Sequence, residues 1–174
     1  MAPTYRILPG LPPYGPMPAQ FSADGTGTHR EGLVVEFNPD DGPAWVGNFQ
    51  RGYARLETVL SSSDGVTTTV IARGLAYVVD LYTQRMLATF GDRIRQVIVL
   101  PEFVIFSNDV WLEARDGARL LWRTRDLSWD GLDDFRIDGH FLVGNAFDPE
   151  GELLLPFSVE LLTGEAFGGA FGGA

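Results

Sequence analysis

Cysteine and lysine are both missing from this chain of 174 residues, so all 13 basic side chains are arginine. Without cysteine there can be no disulfide, no thiolate metal site and no cysteine nucleophile. Without lysine there is no glycine-rich phosphate loop closed by Lys, which removes P-loop chemistry. Histidine is scarce as well, His29 and His140 being the whole supply. A histidine-held metal needs more ligands than that. No G-x-S-x-G motif occurs to present a serine nucleophile; the serines Ser61–Ser63 sit in a loop before Asp64-Gly65. Long apolar runs are absent too. The longest, such as Val97–Leu100 and Leu153–Leu155, have the length of a core strand, so no membrane span is expected. The opening residues lack a basic stretch followed by an apolar run, so no signal peptide is expected and the expected location is cytoplasmic.

What is present describes a folded, acidic chain. Hydrophobic residues make up 45% and aromatic residues 12%, enough for a core without a covalent staple. The formal net charge is −10. A nucleic-acid binder needs a basic stripe along its surface, which this balance does not provide. Arginine alone on the cationic side favours planar pairing with carboxylates.

Residues 1–32 differ from the rest. Pro3, Pro9, Pro12, Pro13, Pro16 and Pro18 crowd the start, and Gly25, Gly27 and Gly32 follow. Proline fixes φ and removes a donor, so this piece is expected to be an extended, polyproline-like arm rather than a central strand. Tyr5, Ile7, Leu8, Leu11, Tyr14, Met17 and Phe21 give the arm something to pack on its own domain. Residues 33–165 read as a single β domain: short runs of Val, Ile, Phe, Trp, Tyr and Thr are punctuated by Asp-Gly steps that suit tight hairpins. The only helix candidates are short, at Tyr82–Thr89 and Trp129–Asp134. Residues 166–174 repeat AFGGAFGGA, a tail expected to be flexible unless each Phe finds a pocket.

Four segments share one pattern: Val34–Val46, Tyr77–Leu87, Val110–Trp122 and Phe157–Phe167. In each, an apolar strand leads to an acidic residue (Glu36, Asp80, Glu113, Glu160), a Thr, Asp or Gly turn follows, and a second strand leaves. Their spacing is uneven but near the roughly 40–50 residues of a propeller blade. The hairpin resembles the outer hairpin of quinoprotein-type blades, in which a Trp often follows the turn, as Trp122 does in the third copy. Together with the SWDG run ending at Gly131 and the PFSVELLTG run starting at Pro156, the chain also resembles a group of uncharacterised bacterial all-β proteins. That resemblance implies no activity. The fold expected is therefore all-β, a small propeller-like array or meander of antiparallel hairpins, with a β-sandwich as the alternative.

Chemistry-bearing residues gather in one stretch. Asp126, Asp130, Asp133, Asp134 and Asp138 fall close together, with Trp129 among them and His140 just beyond. Their spacing does not match the D-x-[DN]-x-[DN]-G calcium loop, and Arg115, Arg119, Arg123, Arg125 and Arg136 nearby are expected to neutralise them by ion pairing. Trp129 beside a turn is placed to be displayed, whereas Trp45 and Trp111 read as core residues. An aromatic anchor rimmed by charge fits a protein-binding surface. The expectation is a non-enzymatic interaction module, with an immunity-type protein as one concrete form, that meets a basic protein partner through Trp129, Asp126, Asp130, Asp133, Asp134 and His140. Neither nucleic acid nor membrane is expected as partner, and no cofactor or metal. The alternative is a sugar-binding protein or hydrolase at the loop ends.

Overall fold

Short β-branched and aromatic runs between glycine turns make strands here, and nothing else. The structure, a computed structural model, describes residues 4–62 and 64–171. Those residues contain sixteen strands and no helix. The first sheet holds β1 (Thr4–Leu8), β2 (Ala19–Phe21), β3 (Leu33–Asn38) and β4 (Trp45–Phe49) in the order β1-β3-β4-β2. The second is β5 (Thr58–Ser61), β6 (Thr67–Ala72), β7 (Leu75–Asp80) and β8 (Met86–Phe90), in chain order. The third is β9 (Gln96–Val99), β10 (Val104–Ser107), β11 (Leu112–Asp116) and β12 (Arg119–Arg123), again in chain order. The fourth is β13 (Leu132–Asp138), β14 (Phe141–Asp148), β15 (Leu153–Glu160) and β16 (Ala166–Gly168), likewise. All neighbours are antiparallel except β2, which runs parallel to β4. The strands thus form four small sheets of meandering hairpins without a closed barrel, the all-β meander or propeller-like class, not the two large sheets of a sandwich.

The arm over residues 1–32 is not polyproline-like throughout. Thr4–Leu8 and Ala19–Phe21 become the two edge strands of the first sheet, while Pro9, Pro12, Pro13, Pro16 and Pro18 all lie between them. An edge needs hydrogen bonds on one side only, so proline is excluded from less of it. Neither short helix forms. Leu81–Thr83 is a turn and Trp129-Asp130 a bend, each leading into a strand. Nor is the tail wholly irregular: Ala166–Gly168 adds β16 to the fourth sheet. The chain divides into two compact units, residues 1–94 and 95–174, each holding two of the sheets.

Each unit has its own core. In the first, aromatic rings meet one after another: Phe21 stacks on Phe49 at 4.6 Å, Phe37 meets Trp45 at 4.5 Å, and Phe49 meets Tyr77 at 5.5 Å. The Tyr77 ring is fully buried and its hydroxyl donates to the Gln50 carbonyl at 2.9 Å. Burial pushes the phenol far above its ordinary range, so the donor stays neutral. In the second unit, Ile105, Leu112, Leu127, Leu142, Phe157 and Val159 pack with Trp122. Each fully buried side chain of this size contributes about 1.5–3 kcal/mol.

The four repeated segments map onto the sheets one for one: β3–β4, β7–β8, β11–β12 and β15–β16 are the third and fourth strands of their sheets in chain order. The acidic residues play two alternating parts. Glu36 and Glu113 pair with Arg6 and Arg115. Asp80 and Glu160 close turns: Asp80 Oδ1 accepts from the amides of Tyr82 (2.9 Å) and Thr83 (2.8 Å), and Glu160 Oε2 from those of Leu162 (3.0 Å) and Thr163 (2.7 Å).

Candidate functional site

The connector from β12 to β13 carries Asp126, Trp129 and Asp130, half of the residues expected to bind. Leu127 and Ser128 are fully buried in its middle, which fixes the stretch from below. The amide of Leu127 donates to the Val110 carbonyl at 2.8 Å, and the Ser128 hydroxyl to the Phe147 carbonyl at 2.9 Å. Gly131 donates to the Asp109 carbonyl at 2.9 Å, and Asp109 is itself held by Arg95 at 2.6 Å. From this anchored base Trp129 emerges half exposed, at 53%.

Trp129 does not stand alone. The ring of Phe171 lies 4.5 Å from its own, tilted by 39°. Arg125 holds the tail in place, donating to the carbonyls of Gly168 (2.8 Å) and Phe171 (3.0 Å). The backbone adds two more ties, Gly169 to the Pro156 carbonyl at 3.0 Å and Ala170 to the Leu127 carbonyl at 2.7 Å. Both phenylalanines of the described tail find ring partners, Phe171 on Trp129 and Phe167 edge-on to Phe141 at 6.4 Å. The result is an aromatic ledge built from two segments.

The arginines do not neutralise the aspartates, contrary to expectation. Arg125 is engaged with carbonyls, Arg119 pairs with Asp116 at 3.0 Å, and Arg115 pairs with Glu113. The Arg123 guanidinium lies 3.6 Å over the Trp111 ring, which leaves Trp111 half-buried just before β11 instead of in the core. Trp45, at 6% exposure, is the core residue expected. Of the clustered aspartates only Asp134 meets an arginine, Arg136 at 3.5 Å. Asp126, Asp130 and Asp133 are exposed and make no ion pair among the described residues. The physical reason is geometric: alternate strand residues face opposite ways, so neighbours in sequence need not meet.

The structure gathers some of the expected residues and separates others. Asp126, Trp129 and Asp130 share the connector, with Asp133 at the start of β13. His140 is exposed in the β13–β14 turn, at the far end of a strand about 20 Å long. Its carbonyl accepts from the Leu161 amide at 2.9 Å. In the first unit, His29 Nδ1 meets the Arg30 carbonyl at 2.6 Å. No group of three or more His, Asp or Glu residues able to hold a metal ion occurs among the described residues. Sequence reasoning missed Arg125 and Phe171 as parts of the ledge. The two-fold AFGG repeat was the one available signal, because it sets two rings four residues apart.

No family model matches the chain, and no curated protein does. Among solved structures, one described as "Crystal structure of the eukaryotic initiation factor" aligns at 11% identity with a TM-score of 0.42. The alignment covers 79% of this chain and 39% of that one.

Proposed function

We propose that this protein is a non-catalytic binding module that engages a basic protein partner through the Trp129 ledge. One observation carries the reading: a half-exposed indole, held against Phe171 on an anchored connector, is flanked by Asp126, Asp130 and Asp133 without arginine partners. A fixed aromatic ring gives contact area at little entropic cost, and unpaired carboxylates beside it attract arginine or lysine side chains. With a net charge of −10, long-range attraction speeds the encounter. An immunity-type protein that masks a basic toxin is one concrete form of such a module, set in a cytoplasmic location.

A fluorescent nona-arginine peptide is a suitable probe, titrated by anisotropy at low and at high salt. The expected result is saturable binding that weakens steeply as salt rises, because charge pairs are screened. Trp129→Ala should weaken it further at both salt levels, and combined Asp126→Asn, Asp130→Asn and Asp133→Asn should flatten the salt dependence. Binding that is indifferent to Trp129 and to these three aspartates would overturn the assignment.

A further inference from the structure

The open face of the fourth sheet carries a depression of about 350 Å³ that the ledge does not use. Strand register places its walls. Arg136, Val143, Ser158 and Phe167 stand in one row across all four strands, and Asn145 and Pro156 form the next row on the same face. Phe141 lies on the same face beyond the depression, its ring edge-on to Phe167.

A β-bulge prepares this face. The register of β13 against β14 shifts between Asp133 and Arg136, and Asp134 within the shift has φ of 53°, a conformation non-glycine residues seldom hold. There Asp134 Oδ2 accepts a hydrogen bond from Asn145 Nδ2 at 3.3 Å and lies 3.5 Å from an Arg136 nitrogen. One carboxylate thus orients both an amide and a guanidinium. Bulges re-aim side chains beside binding sites in this manner. The Asn145 carbonyl oxygen and the half-buried Ser158 hydroxyl are left without protein partners among the described residues, as are further Arg136 N–H groups.

We infer that this face binds a neutral saccharide of one or two rings. The chemistry of the wall selects it. Arg136 opposes a cation, while Asp134, Asp138 and Glu160 on or beside the face oppose an anion, so the site favours an uncharged ligand. Asn145, Ser158 and Arg136 offer acceptor and donors to hydroxyls, and the Phe167 ring offers apolar surface to the C–H face of a pyranose. The volume suits one or two sugar rings. This site is separate from the Trp129 ledge, and either can fail without the other.

Amide resonances followed by NMR while glucose, galactose, N-acetylglucosamine and maltose are each added to tens of millimolar will test it. The expected result is a saturable shift of the Val143, Asn145, Ser158 and Phe167 amides with at least one of these sugars. Sorbitol, an open-chain polyol of similar size with no ring face, should give none. Ser158→Ala, a near-isosteric change that keeps the fold, should weaken binding roughly tenfold for one lost hydrogen bond. Phe167→Leu should weaken it too while leaving β16 in place. Absence of a saturable shift with all four sugars would overturn the inference, as would an equal response to sorbitol or unchanged binding by both variants.

Discussion

The indole N–H of Trp122 donates to the carbonyl of Leu161 at 2.8 Å, across 39 positions of sequence. Trp45 does the same to Leu81 at 2.9 Å, across 36 positions. Each tryptophan opposes the residue after its own sheet's acid, Phe37 following Glu36 and Ala114 following Glu113. Each accepting leucine follows the acid that closes a turn in the next sheet, Asp80 or Glu160. Both units therefore join their two sheets by the same bond.

Trp122→Phe keeps an aromatic ring but removes that donor and leaves the Leu161 carbonyl unpaired. The expected loss of stability is about 1–3 kcal/mol, measured by urea unfolding. Trp111→Phe, which weakens only the stacking under Arg123, should cost about 0.5–1 kcal/mol.

Gly164 has φ of 74°, and a Cβ built there would lie 2.7 Å from the Trp122 ring. Gly164→Ala should therefore destabilise by more than the roughly 1–2 kcal/mol of a left-handed alanine. Gln84 holds the corresponding position of the first unit with φ of 56° and is exposed, so Gln84→Ala should be close to neutral. Equal losses from the two variants would contradict the account of the Trp122 contact.

Acid should destabilise the fold within a defined window. The Ser22 hydroxyl, with the Thr26 amide and hydroxyl, lowers Asp24 to about 2 from 3.8. For Asp64, burial works against ionisation, but the amides of Thr67 and Val66 outweigh it and the group lies below its ordinary value. The Thr83 amide lowers Asp80, and the Thr163 hydroxyl and amide lower Glu160. All four are depressed on folding, so their stabilisation is complete above the unfolded values near 3.8 and 4.5 and is lost as pH falls toward 2. Melting temperatures taken from neutral pH downward should hold to about 5 and then decline; Asp24→Asn and Asp80→Asn should flatten the decline.

Arg125→Ala removes both side-chain ties to the tail. Hydrogen exchange at Gly169 and Ala170 should accelerate, and the Phe171 ring should lose its fixed place on Trp129. Exchange in β14, held by strand pairing along its whole length, should not change.

Fold class and the hairpin repeat were legible because a period of two and Asp-Gly turns are local signals. The sheet-joining role of Trp45 was hidden by its longer turn, PDDGPA, which displaced it from the place Trp122 takes after a short one. Edge strands β1 and β2 were obscured by the prolines between them, since composition averages over a window that the strands only flank. At the site, Trp129 and its aspartates could be named from their neighbours in sequence. Phe171, Arg125 and Asn145 could not, because each reaches its partner through strand pairing or chain return, which no short window contains. The ion pairing expected around Asp126–Asp138 failed for the same reason.

The Trp129 ledge has one more property, set by how it is assembled. Its two rings belong to segments that the pairing of β13 to β16 and the hold of Arg125 on the tail bring together. A chain with the fourth sheet unformed has both aromatic side chains but no surface made of them. Display of the ledge is thereby a readout of completed folding, and a partner that requires both rings would discriminate finished molecules from unfinished ones.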